Sequence, residues 1–286
     1  MSEAVPRGKL TIRDLQRMRE RSEPIAVATA YDYVTTKLIE AAGIEVALVS
    51  DWGIATTLLG YRMSSQVTWD EALFYLTGVC RIAESAWIVG SLPFGSYQVS
   101  DGQAVRNAAK IMKAGADAVM LEGLACSVDR VRSISRSGII CVVYLGATPH
   151  YRRIMGGRSS LGQTAEEAAQ LVREAQELEE AGASVLILEG IPHRVAVTIG
   201  QRTDLVTVGS GGTRGCDGQL LTTHSVLGMP EAMSPMLLRT YADFESRMLT
   251  ALDEWCSEVR SSDFPTSKQT FSIKDDEFER FMGMIQ

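Results

Sequence analysis

Short apolar runs rich in β-branched or small residues alternate along the chain with longer segments of helical periodicity. The runs fall at residues 25–30, 46–50, 87–90, 118–121, 139–145, 184–188, 205–208 and 219–223. The spacing predicts helices over 33–42, 68–84, 101–114, 127–137, 164–181, 192–201 and 235–260, with a glycine-rich loop after the seventh run. A further helix over 11–23 precedes the repeat; Thr11 and Asp14 are spaced as in a capping box, and the helix is expected to close one end of the fold. Three turns, AAGIEVALVS, KAGADAVMLEG and EAGASVLILEG, share one plan: helix, glycine stop, buried strand, polar or acidic strand end. Eight such units predict an α/β fold, a single (β/α)8 TIM barrel over residues 1–264 with an N-terminal capping helix. An open doubly wound sheet would need a change of topology that the pattern does not locate. From Ser261 the chain turns polar and then ends in an apolar patch at 278–285, so 265–286 reads as a tail or an oligomer-contact segment.

Composition narrows the partners. The 286 residues are 45% hydrophobic and 22% charged, which is ordinary globular material with enough length for a sizeable core. A formal charge of -7 without a basic run gives no support for nucleic acid or an anionic membrane as partner. The first residues are charged, and no run approaches the ~20 apolar residues of a membrane span, so the expectation is a soluble, cytoplasmic protein. Cys80, Cys126, Cys141, Cys216 and Cys256 are odd in number, widely spaced and free of CxxC, which favours reduced thiols over disulfides or a zinc site.

The chemistry is expected at the strand ends, where a barrel opens to solvent while the sheet holds each side chain in place. These ends carry Asp32, Asp51, Ser91, Glu122, Tyr144 and Glu189. Carboxylates there are costly unless paired, hydrogen-bonded or on a cation, so several around one mouth suggest a site; the alternative is that each is a solvated loop residue. His150, His193 and His224 show no metal-ligand spacing and read as surface or supporting residues. The loop VGSGGTRG (208–215) reads as a turn, with an anion site on its backbone N–H groups as the alternative. Arg152, Arg153 and Arg158 lie in a long loop that is either a lid over an anionic substrate or a solvated charged stretch.

Taken together, TAYD (29–32), the Asp51 turn leading to LLGY (58–61), VTWDE (67–71), PFGSYQVS (93–100), LEG (121–123), LGATP (145–149), LEGIP (188–192) and CDGQLL (216–221) resemble the ketopantoate hydroxymethyltransferase family. The resemblance runs from about residue 11 to 264 and keeps the family's order. It implies a barrel of the phosphoenolpyruvate mutase and isocitrate lyase type, assembled in the family as a decamer, hence a homo-oligomer. It also implies transfer of a one-carbon unit from 5,10-methylenetetrahydrofolate to the enolate of 3-methyl-2-oxobutanoate, with Mg²⁺ chelating the 2-oxo acid and a glutamate moving the proton.

Residue by residue, the implied metal ligands fall on Asp51, Ser91 and Glu122, where Ser91 stands in place of an aspartate. The site thereby loses an anionic oxygen, so Mg²⁺ binding through Asp51 and Glu122 is expected to be weakened. The implied substrate-binding positions hold Trp52 for a serine, Met120 for a lysine and Tyr144 for a histidine, and the stretch 51–60 reads one residue longer than the family's. The implied base, Glu189, is retained. The expectation is a diverged enzyme doing enolate-type C–C bond chemistry in a specialised pathway. Its small carbonyl substrate would be larger or less anionic than the family's and bound by Asp51, Trp52, Ser91, Met120 and Tyr144; Glu189 is its acid/base, and Tyr144 donates to the enolate oxygen. An ordinary family enzyme and a non-catalytic binding barrel are the alternatives.

Overall fold

The computed structural model describes residues 8–123, 127–151, 154–229 and 239–286. Eight parallel strands close on themselves in sequence order: β1 (Ile25–Thr29), β2 (Val46–Val49), β3 (Trp87–Ser91), β4 (Ala118–Glu122), β5 (Cys141–Gly146), β6 (Ala183–Glu189), β7 (Val206–Ser210) and β8 (Gly218–Leu221), with β8 pairing back onto β1. The helices are α1 (Ile12–Glu20) before the first strand, α2 (Tyr33–Ala42), α3 (Asp51–Gly53), α4 (Trp69–Cys80), α5 (Asp101–Lys113), α6 (Ser127–Arg136), α7 (Ala165–Glu180) and α8 (His193–Arg202) between strands, and α9 (Thr223–Leu227) after the last. The expected (β/α)8 barrel is therefore the fold.

The period-2 alternation of the strands divides the core in two. Ile25, Val27, Leu48, Val89, Met120, Val142, Ile187 and Val208 fill the barrel interior, while their sequence neighbours Ala28, Val49, Ile88, Leu121, Val143 and Leu188 pack under the helices. Each such side chain, fully buried, contributes about 1.5–3 kcal/mol of apolar transfer. One floor of the interior is shut by α1, whose Leu15 is 1% exposed and joins the interior cluster. Leu15, Ile25, Val46, Trp87, Val142 and Val206 help line an apolar void of about 10 Å³ there.

Local rules explain where α1 sits and where α4 ends. Asp14 accepts the N–H and hydroxyl of Thr11 (2.9 and 2.6 Å), as the capping-box spacing predicted. Arg19 donates to the carbonyls of Gly200, Thr203 and Asp204, and Lys9 pairs with Asp117, so α1 is tied to the loops of the floor. The helix predicted over 68–84 stops at Cys80, because Glu40 draws the following turn away by accepting the N–H groups of Glu84, Ser85 and Ala86.

The chain divides into two compact units, Met1–Tyr241 and Ala242–Gln286; the expected boundary at 264–265 falls inside the second. That unit holds α10 (Phe244–Ser261) and α11 (Asp275–Met284). The helix predicted over 235–260 starts at Phe244, where Asp243 accepts the Ser246 N–H; the first residues of that stretch, up to 238, lie outside the described residues. Cys141 is buried, while Cys80, Cys216 and Cys256 are half-buried; all four are free thiols, and Cys126 lies outside the described residues. Among the described residues no helix is long and apolar enough to cross a membrane.

Candidate active site

The side chains gathered at the C-terminal mouth are placed by strand register. β2 hands over to a single helical turn: Ser50 Oγ accepts the Gly53 N–H (3.0 Å), and the capped turn swings the Asp51 carboxylate inward, where it is 1% exposed. The chain continues as a π-helical turn, Ile54–Leu58, which takes one more residue than an α-turn and so has room for the added residue expected in 51–60. Glu122 ends β4 directly opposite Tyr144 of β5, and Glu189 ends β6 opposite Ser210 of β7. Both pairs follow the inward parity of the interior cluster, so their polar ends stand on top of the apolar filling.

Two groups form from these residues. In the first, Asp51 Oδ1 accepts the Trp52 N–H and the Ser91 hydroxyl (both 3.0 Å), while Asp51 Oδ2 meets His150 Nε2 in a short contact. Glu122 Oε2 accepts the backbone N–H of His150 (2.8 Å), and Glu122 Oε1 lies 3.6 Å from His150 Nε2. The other face of the imidazole is held by Tyr97, whose hydroxyl is 3.2 Å from Nδ1 and also accepts the Glu122 N–H (3.2 Å). Phe94 packs edge-on against the His150 ring, with centroids 5.5 Å apart.

In the second group, the Tyr144 hydroxyl donates to Glu189 Oε2 (2.5 Å) and lies 3.1 Å from Ser210 Oγ. The glycine-rich loop closes over this pair. Gly211 has φ +57, and a Cβ there would sit 2.1 Å from Glu189 Oε1, so only glycine lets the backbone come this near the carboxylate. The loop is thus a turn, pinned by Thr213, which accepts the Ile191 N–H (2.8 Å).

Burial and charge set the protonation. Burial raises the Glu122 carboxyl; His150 opposes the rise and Asp51 adds to it. Burial alone would lower His150, but the charges of Asp51 and Glu122 outweigh it and lift the imidazole to about 9, so without another cation it is the charge that balances the two carboxylates. Burial, then the charge of Glu189, lifts Tyr144 well above its ordinary value, which keeps its hydroxyl a donor at neutral pH.

The structure brings Asp51, Ser91 and Glu122 together and places Glu189 and Tyr144 on the neighbouring strands. Trp52 is half-buried beside Asp51, and Met120 is 1% exposed in the interior layer, one inward step below Glu122. Ser91 donates its hydroxyl to Asp51 Oδ1. One expectation needs correction. His150, expected at the surface or in support, has a side chain 0% exposed at the centre of the first group. Asp32 accepts the Thr35 N–H and caps α2, so it serves that helix. Arg158 is paired with Glu167 (2.7 Å), while Arg152 and Arg153 lie outside the described residues.

Asp51, Glu122 and His150 each offer one ligand atom, all within 4.8 Å of one another. Magnesium takes oxygen ligands in a near-octahedral shell. One or two carboxylates, with waters completing the shell, are enough to hold it, so Asp51 and Glu122 are the residues that would bind magnesium, and the oxygen of a 2-oxo substrate is what such an ion would polarise.

With this geometry in view, the comparisons with known proteins agree. A model of the ketopantoate hydroxymethyltransferase family matches residues 9–267. Relatives named 3-methyl-2-oxobutanoate hydroxymethyltransferase include one from Ignicoccus hospitalis, 39% identical over 90% of this chain and 97% of its own length. Another, from Hyperthermus butylicus, is 37% identical over 98% and 96%. Among solved structures, 2,3-dimethylmalate lyase, a PEP mutase/isocitrate lyase superfamily member, shares the fold at TM-score 0.58 and 14% identity, covering 97% of this chain and all of that one. Phosphonopyruvate hydrolase in complex with oxalate and Mg²⁺ does so at TM-score 0.58 and 12% identity, covering 96% and 98%. The chain is an enzyme-type barrel that belongs to the ketopantoate hydroxymethyltransferase family.

Proposed function

We propose that the chain forms an enolate from a small 2-oxo compound and joins it to a one-carbon unit, on a substrate larger or less anionic than 3-methyl-2-oxobutanoate, in a specialised pathway. The observation that carries this reading is the Tyr144–Glu189–Ser210 group, in which Tyr144 stands on the strand beside Glu122, the partner of His150 and neighbour of Asp51. Glu189 takes the proton from the carbon beside the carbonyl. Once Glu189 is protonated, the Tyr144 hydroxyl no longer serves a carboxylate and turns to the enolate oxygen, which it stabilises as a donor that keeps its own proton. Half-buried Trp52 offers apolar surface, Met120 below Glu122 supplies no cation, and His150 is held between two carboxylates; none of these suits a small carboxylate.

A second reading, ordinary hydroxymethyl transfer to 3-methyl-2-oxobutanoate from 5,10-methylenetetrahydrofolate, is favoured by the names of relatives 33–39% identical to this chain. The two separate in one experiment. Purified protein is given a panel of 2-oxo acids, esters and amides in D2O, and exchange at the carbon beside the carbonyl is followed by NMR, with and without 5,10-methylenetetrahydrofolate. The proposal expects faster exchange with a bulkier or uncharged member than with 3-methyl-2-oxobutanoate, and loss of exchange in Glu189→Gln. Fastest exchange and product formation with 3-methyl-2-oxobutanoate would establish the second reading.

The protein is proposed to work as a homo-oligomer. Phe244, Met248, Leu252, Trp255 and Val259 recur at helical spacing on α10, each between 39% and 58% exposed, and form an apolar stripe of the kind that copies of a chain cover in one another. Light scattering of the purified protein tests it; a monomer at micromolar concentration would rule it out.

A further inference from the structure

We infer that Arg130, on α6 outside the ring of strands, is a positioning residue of the mouth: its guanidinium fixes the loop that carries Tyr97, and Tyr97 in turn sets the placement of His150 and Glu122. Its value to turnover rests on the reaction proposed above; the coupling itself is argued from the hydrogen bonds.

Tyr97 stands between the loop and the first group. The residue is 0% exposed, and its hydroxyl accepts the Glu122 N–H and faces His150 Nδ1, both at 3.2 Å, with the Glu122 carbonyl oxygen at 3.4 Å. The outer nitrogen of the imidazole and the backbone of Glu122 therefore share one anchor. That anchor is only as fixed as the loop behind it.

The loop between β3 and α5 leaves the strand ladder after Leu92, which donates to the Met120 carbonyl (2.8 Å), so its later carbonyls need other donors. Gln103 donates to the Gly95 carbonyl (3.1 Å) and Asn107 to that of Ser96 (2.7 Å); both come from α5 and hold the approach to Tyr97. Arg130 takes the next two: Nε donates to the Tyr97 carbonyl (2.9 Å) and Nη2 to that of Gln98 (3.2 Å). Asp101 pairs with Nη1 and keeps the guanidinium oriented; the Arg130 side chain is 15% exposed, so little water can replace these bonds. A rigid planar fork on two successive carbonyls fixes the 97–98 peptide plane, and with it the direction in which the Tyr97 side chain leaves the loop. Lysine would keep the charge and the pairing with Asp101 but, as a point charge, could not span both carbonyls. A role in charge alone is satisfied by lysine, and a role in geometry is not.

The test compares wild type, Arg130→Lys, Tyr97→Phe and the double variant, each full-length and labelled at histidine Cε1 for NMR. The chain has three histidines, and His150→Gln identifies the resonance of His150. Tyr97→Phe is expected to shift that resonance and Arg130→Lys to shift it in the same direction, while those of His193 and His224 stay in place. Substrate-proton exchange should fall about 10-fold in each single variant with KM little changed, and the double variant should lie within about 3-fold of either, because both changes cut one path. A His150 resonance unmoved by Arg130→Lys, or a double variant that falls by the product of the two, about 100-fold, would overturn the proposal. Asp101→Asn, at a position whose side chain is 54% exposed, loosens the fork without removing it. It should shift the His150 resonance the same way by less, and it decides the question if Arg130→Lys does not fold. A wild type that exchanges no substrate proton rejects the proposed chemistry and leaves the resonance to judge Arg130; normal exchange beside an unmoved resonance rejects the role of Arg130 alone.

Discussion

Replacing Gly211 with alanine tests the placement of Glu189 without touching either side chain of the Tyr144–Glu189 pair. The new Cβ would lie 2.1 Å from Glu189 Oε1 and 2.7 Å from Cδ, a separation real Cβ atoms do not tolerate below 3.0 Å. The carboxylate is the far end of a flexible chain, so it yields and the backbone stays. Oε1 must retreat by about 0.9 Å or more, which displaces the carboxylate whose other oxygen, Oε2, accepts the 2.5 Å bond from Tyr144. Misplacement of a reacting group by about 1 Å costs on the order of 100-fold in rate. A left-handed alanine adds about 1–2 kcal/mol of backbone penalty, equivalent to a fall in Tm of about 2–8 °C in a domain of this size. Gly138→Ala is the control, because Gly138 is also left-handed (φ +86) yet a Cβ there meets nothing within 4 Å. The assay is substrate-proton exchange in D2O followed by NMR, beside a thermal melt. The expected outcome is a similar loss of Tm in both variants and a roughly 100-fold loss of exchange in Gly211→Ala alone. Exchange by Gly211→Ala within about 3-fold of wild type would refute the role given to Glu189's position.

Three further outcomes follow from the same structure. Tyr144→Phe removes a hydrogen bond to a charged acceptor, worth about 1.5–3 kcal/mol, so kcat should fall about 10- to 150-fold with KM little changed; steady-state kinetics on the best substrate of the panel reads this. Leu15→Ala empties the floor of the interior and should cost about 2–5 kcal/mol, seen as a lower midpoint in urea, while proton exchange at the far end of the barrel persists below that midpoint. For Glu40, partial burial raises the carboxyl, but the Ser85 hydroxyl and the N–H groups of Ala86, Ser85 and Glu84 outweigh it and hold it below 4.5. Its folded-state value is depressed, so its contribution to stability is complete above pH 4.5 and is lost as pH falls through the lowered value. The Tm gap between wild type and Glu40→Gln should therefore narrow on acidification from pH 6 to pH 3, and a gap constant over that range would contradict the assignment.

Most of the barrel was legible because its physics is local. Buried strands such as 87–90 and 184–188 are apolar on both faces, glycine stops mark the helix ends, and eight repeats leave one closed arrangement. The strand-end rule also picked out Asp51, Ser91, Glu122, Tyr144 and Glu189, which the strand register gathers at one mouth. It overreached at Asp32, which has the same position and serves as a helix cap, because capping and catalysis ask for the same short polar side chain. His150 was missed for the opposite reason. Its partner Asp51 is 99 residues away, and only closure of the barrel makes them neighbours. A signal was present: His150 follows the end of β5 by only four residues, which puts it in a strand-end loop of the mouth. The end of α4 escaped too, since the clamp that halts it comes from Glu40, on another helix.

Because α1 seals the floor and a close-packed apolar column stands between it and the mouth, the two ends of the barrel answer to separate pressures. Durability can be tuned at one end by swapping apolar residues while the polar groups at the other keep their places.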